Sequence, residues 1–77
     1  MNISRRHIKE LLERHGCFLF GEFLDHEIWV TPPPGNLVIR LPKSGPIHID
    51  LAEIIALEIL GVGMWEYDYW LGQISHS

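Results

Sequence analysis

The sequence predicts an α+β domain: an amphipathic helix, three short strands, a second and strongly apolar helix, and a short third helix at the C-terminal end. Three observations carry this. Ile8, Leu11, Leu12 and His15 recur at helical spacing between Ser4 and His15. Three runs of strand length follow, Cys17–Phe23, Glu27–Thr31 and Leu37–Leu41, with turn residues between them. Leu51 to Leu60 is then apolar except for Glu53 and Glu58, and it lies between Asp50 and Gly61. At 77 residues the chain forms a single domain, 1–77, with its core over residues 4–71 and a tail over 72–77.

The first helix has Asn2 or Ser4 as a cap and Gly16 as its left-handed stop. Its outer face carries Arg5, Arg6, Lys9, Glu10, Glu13 and Arg14, with Glu10 and Arg14 spaced for a pair. Such faces are ordinarily just solvated. The sharper reading is a cationic patch of Arg5, Arg6 and Lys9, which would oppose the helix dipole and suit an anionic partner. Gly21 marks a bulge in the first strand, and Leu24-Asp25 makes the corner into the second. There, Ile28 and Val30 are expected to face the core, leaving Glu22, Asp25 and Glu27 on an exposed hairpin. Pro32-Pro33-Pro34-Gly35-Asn36 excludes helix and central strand, and Pro34-Gly35 suits a type II turn with φ > 0 at Gly35. Leu37, Ile39 and Leu41 alternate with Val38 and Arg40 in the third strand.

Asp50 as N-cap with Glu53 three residues on has the form of a capping box. A helix as apolar all round as Leu51–Leu60 is buried on more than one side. Gly63–Leu71, with Met64, Trp65, Tyr67, Tyr69 and Trp70, supplies a helical cover. The expected layout is two helices on one face of a three-stranded antiparallel sheet, as in double-stranded-RNA-binding domains.

Composition narrows the function classes. A single cysteine, Cys17, makes no intrachain disulfide and no zinc ligand set, which fits a reducing, cytoplasmic protein. The first residues lead into an amphipathic pattern rather than a signal core, and no apolar run is long enough for a membrane span. The net charge is −4, and all six Lys and Arg lie at or before Lys43. Any phosphate-binding surface therefore comes from the N-terminal half, and the acidity argues against broad nucleic-acid affinity.

The chemistry-bearing candidate is His26, which opens the second strand between Asp25 and Glu27. Histidine titrates near neutrality and serves as base or acid. Metal-free RNA cleavage needs a base for the 2′-OH, a cation for the phosphorane and a proton for the leaving oxygen. Arg40, Lys43 and Arg5 are the cationic candidates for holding RNA. A lone histidine at a hairpin corner is ordinarily only a surface residue. His48 has the setting of a packed loop residue, His7 and His15 lie on helix faces, and His76 is in the tail. Glu22, Asp25 and Glu27 raise the thought of Mg²⁺, but exposed carboxylates are more often solvated, so neither metal nor cofactor is expected.

These residues resemble the HicA-type (YcfA-like) toxins of bacterial toxin–antitoxin pairs. Ile8-Lys9-Glu10-Leu11-Leu12-Glu13-Arg14-His15-Gly16 fits the family's first helix, I-x-x-L-L-x-x-x-G. His26 falls ten residues after that glycine and Trp29 takes the aromatic place three further on. Val38-Ile39-Arg40-Leu41-Pro42 matches the third strand, and Gly61-Val62 the end of the second helix. The likeness covers most of the chain. It implies a ribonuclease acting on single-stranded messenger RNA, with His26 catalytic, and a HicB-type antitoxin as neutralising partner. The chain departs from the pattern at Leu24-Asp25, where the family has Gly-Ser, and at Glu22 and Phe23, where it is cationic. Those departures sustain a second reading, a catalytically impaired HicA-like binding module whose partner is an antitoxin, a copy of itself or a nucleic-acid-binding protein. A double-stranded-RNA binder fits least, because Asp50 and Glu53 stand where basic residues would be needed.

Overall fold

A computed structural model describes residues 1–75. The elements are β1 (Asn2–Ile3), α1 (Arg5–Arg14), β2 (Phe18–Phe23), β3 (His26–Val30), β4 (Val38–Pro42), β5 (Ile47–His48), α2 (Ile49–Glu53), a π-helical continuation of α2 (Ile54–Ile59) and α3 (Met64–Ser75). β2, β3 and β4 form an antiparallel sheet with β3 in the centre, and β1 pairs with β5 in a separate two-stranded ribbon. The chain is thus a small α+β domain with a three-stranded antiparallel sheet and three helices.

Local chemistry sets the ends of α1. The Ser4 hydroxyl accepts from the Arg6 N–H as N-cap. At the other end Gly16 takes φ +79°, while the Gly16 N–H bonds to the Glu13 carbonyl and the Cys17 N–H to that of Leu12. This is a Schellman closure, and it delivers Cys17 into the core. At the start of α2 the cap is His48, whose Nδ1 accepts from the Asp50 N–H at 3.1 Å, and not Asp50. Asp50 lies two residues later, in the first turn, where its charge suits the helix dipole.

The second helix begins earlier than predicted and widens into π geometry, with the Leu60 N–H bonded to the Ile55 carbonyl. α3 is longer than predicted. Residues 72–75, expected as tail, continue the helix, and His76 lies outside the described residues. The core also starts earlier, since Ile3 on β1 is buried against Ile47 on β5. In the triple-proline loop the left-handed residue is Asn36 (φ 49°) and not Gly35, and the Pro33–Pro34 bond is cis.

One buried cluster joins Ile8, Leu11 and Leu12 of α1 with Trp29, Ile39 and Leu41 of the sheet, Ala52, Ile55 and Ala56 of the second helix, and Tyr67 and Trp70 of α3. Within β3 the residues facing this core are Glu27 and Trp29. The phase is the reverse of the one expected from hydropathy, which put Ile28 and Val30 inside and Glu27 outside. Burial of the Trp29 ring favours this phase, and a charge pair accommodates Glu27 beside it. Arg5 Nη2 lies 2.8 Å from Glu27 Oε1, with both side chains largely covered. Arg5 Nε donates to the Pro42 carbonyl at 2.8 Å, and Trp29 Nε1 donates to Glu27 at 3.2 Å. Lys9 sits 6.0 Å from the Trp29 ring centroid, within cation–π range. Arg5 and Lys9 therefore turn toward the sheet and do not form the outward cationic patch. Arg6 stays outside, near Glu10.

Burial works to raise the Glu27 pKa, but the Trp29 hydrogen bond, the Arg5 contact and the charges of Arg5 and Lys9 outweigh it and leave the carboxyl below its ordinary value. A depressed folded-state pKa stabilises fully above the unfolded value, near the usual 4.5, and that stabilisation is lost as pH falls through the folded one. Glu27→Gln leaves Arg5 without its counter-charge and is expected to cost about 2–3 kcal/mol. Urea midpoints between about pH 7 and about pH 3 test both points. The parent should lose stability in acid more steeply than the variant.

Candidate active site on the open sheet face

With Glu27 and Trp29 inward, alternation along β3 sends His26, Ile28 and Val30 to the opposite, open face. The register lays that face out in rows: Phe18, Val30 and Val38; Gly21, Ile28 and Arg40; Phe23, His26 and Pro42. The register shifts between Leu19 and Gly21, so Phe20 is the extra residue of a bulge, next to the glycine expected to mark one. Phe20, Phe23, Leu24, Asp25, His26, Ile28 and Arg40, with Gly21 and Glu22, line an open hollow of about 530 Å³.

His26 is exposed at the start of β3, and its Nδ1 lies 2.9 Å from Asp25 Oδ1. With the proton on Nδ1 donated to Asp25, Nε2 keeps its lone pair and is the basic nitrogen. Arg40 faces Ile28 across the β3–β4 ladder, which makes it a diagonal neighbour of His26 within reach of a long side chain. Among the described residues Arg40 has no carboxylate partner.

The fold thus brings together two of the four residues singled out in the sequence, His26 and Arg40. Lys43 stands at the rim, with its ammonium 3.2 Å from Glu22 and its backbone N–H bonded to the Asp25 carbonyl. Arg5 lies on the other side of the sheet, held by Glu27 and Pro42. Glu27 is buried there too, so Glu22, Asp25 and Glu27 do not converge on one surface as a cation would require. His48 spends its Nδ1 on capping α2.

Sequence reasoning missed Phe20 and Phe23 as walls of the hollow; they are 73% and 69% exposed. Their signal was that β2 is apolar on both faces, which a strand covered on one side does not need.

The turn into β3 is strained. Leu24 takes φ 55°, a left-handed conformation unfavourable for a branched side chain, and the side chain is 82% exposed. Leu24→Gly removes that strain and is expected to stabilise the fold by about 1 kcal/mol, measured as a higher denaturant midpoint in dilute solution. An unchanged or lower midpoint would mean that the turn carries no strain.

Compared with protein-family models, with curated proteins and with solved structures, the chain matches none.

Proposed function

We propose that the chain is a HicA-like toxin: a metal-independent, cytoplasmic ribonuclease that cuts single-stranded messenger RNA at His26 and is neutralised by a HicB-type antitoxin covering the open face. One observation carries this reading: an exposed histidine, oriented through Nδ1 by a carboxylate, shares a hollow with an unpaired arginine. The element order, helix then three antiparallel strands then helix, is compatible with a double-stranded-RNA-binding-domain-like frame.

Nε2 of His26 takes the 2′-OH proton, and the resulting oxygen attacks the adjacent phosphorus. Arg40 faces the charge that builds on the non-bridging oxygens. The leaving 5′-oxygen takes its proton from the imidazolium or from water. Phe20 and Phe23 offer exposed rings on which unpaired bases stack, a contact worth about 1–3 kcal/mol per base. Among the described residues Arg40 is the one lysine or arginine lining the hollow, so phosphate attraction is a small part of affinity.

The rival reading, a binding module without activity, is favoured by the apolar character of the same face. Incubating the parent, His26→Ala and Arg40→Ala with single-stranded RNA in a chelator separates the two. The expected result is cleavage by the parent to 2′,3′-cyclic phosphate ends, with each variant slower by about 100-fold or more. Binding by the non-cleaving His26→Ala protein should follow a shallow salt dependence, with a slope of about −0.7 in log–log form for one phosphate. A folded parent that leaves RNA intact sinks the nuclease and leaves the binding module.

A further inference from the structure

The open sheet face raises a question of its own, independent of whether the chain cuts RNA. A soluble domain's largest apolar patch is usually about 300–600 Å². Here Phe18 and Val38 are also exposed, and with about 200 Å² for a fully exposed Phe, they, Phe20, Phe23 and Leu24 together present roughly 600 Å². Ile28 and Val30, half-buried, fill the middle of the patch. A standard interface takes about 800 Å² from each partner, so this face is of the size one copy contributes to a modest dimer.

The face also carries charges of both signs. Among the described residues Arg40 lies in the hollow without a carboxylate partner; Glu22 is taken by Lys43, while Asp25, hydrogen-bonded to His26, lines the same hollow with its side chain 84% exposed. An unpaired cation and an accessible carboxylate within one apolar patch can pair reciprocally across a two-fold axis, as an isologous contact demands. Leu24 adds a third observation. A leucine held at φ 55° with its side chain in water is unfavourable in backbone and in solvation, and both fit an anchor at the hairpin tip that is covered in an assembly.

We infer that the open face of the β2-β3-β4 sheet docks a second copy of this chain, forming a two-fold dimer in which Phe20, Phe23 and Leu24 are the anchors. The dimer covers His26 and Arg40. If the nuclease reading above holds, the dimer is a latent form and RNA competes with the second copy for one surface.

Sedimentation equilibrium from about 1 to about 200 µM tests the dimer, which, as a contact at the small end of the interface range, should form within that span. Phe20→Glu and Phe23→Glu should each leave a monomer across that range. Both positions are exposed, so far-UV circular dichroism and the melting temperature should stay close to those of the parent. Trp65→Glu, a change at the exposed Trp65 on α3 (91% exposed), should leave the dimer intact. Arg40→Glu should weaken it about tenfold at low salt. A parent that is monomeric at the highest concentration overturns the inference, and so does a dimer that survives both Phe variants or dissolves with Trp65→Glu. A monomer that binds oligoribonucleotide through the same phenylalanines assigns the face to RNA instead. Loss of RNA cleavage by itself leaves the dimer standing, so the two readings fail separately. Where cleavage is present, its rate per protomer should fall by at least threefold as concentration passes the dimer's dissociation constant, and the Leu24→Gly protein, which lacks an anchor but keeps Phe20 and Phe23, should show that fall only at higher concentration.

Discussion

The contact between Arg5 and Glu27 decides more of this structure than any other. A carboxylate on the central strand of a small sheet is expensive to bury unless a cation accompanies it. Arg5 sits in the first turn of α1, just after the Ser4 cap, and reaches both Glu27 on β3 and the Pro42 carbonyl on β4. Trp29 supplies a hydrogen bond from the same strand face. One guanidinium therefore ties the first helix to two adjacent strands. It also fixes which residues of β3 point inward, because side chains alternate along a strand and a shift by one residue would exchange the faces completely.

That is where the sequence was legible and where it was not. The three main strands and the first two helices could be found from apolar spacing, turn residues and Gly16, because those signals are local. The phase of β3 could not, since Ile28 and Val30 are more apolar than Glu27, and the opposite phase rests on Trp29 and on a partner for Glu27 that lies 22 positions away in sequence. β1 and β5 are two residues each, too short for any period to show. The cap of α2 went to His48 rather than Asp50 because an imidazole acceptor two residues ahead of an N–H does the same work as a carboxylate. Within the candidate site, His26 and Arg40 were visible as residue types. Their shared face follows from the β3–β4 register, and its exposure from the Glu27 phase, as does the loss of Arg5 to the interior.

The cations show what this arrangement does to the surface. Arg5 and Lys9 turn toward Glu27 and Trp29, Arg6 lies near Glu10, and Lys43 is next to Glu22. Arg40 remains on the open face. A chain of net charge −4 has little long-range attraction for a polyanion. Whatever occupies the hollow is held mostly by contact with aromatic and aliphatic side chains. Both the base-stacking reading and the two-fold dimer draw on that property.

Stability and function meet at the same residues. A domain of this length buries only about 60% of its unfolded surface, so its folding free energy is small and a bound partner adds a large fraction of it. Placing Phe18, Phe20 and Phe23 on the outside forgoes core packing that a chain this short can hardly spare. The same sacrifice is repeated at Leu24, where the backbone is held in a conformation that glycine would adopt freely. Two unfavourable choices on one face, next to a histidine already oriented by Asp25, are readily understood if the face is covered in its working or resting state. Covering it removes the exposed rings and the hairpin tip from water, and it also closes access to His26. On this argument occupancy of the open sheet governs the stability of the domain and the availability of its one candidate base together, and no separate conformational switch is required.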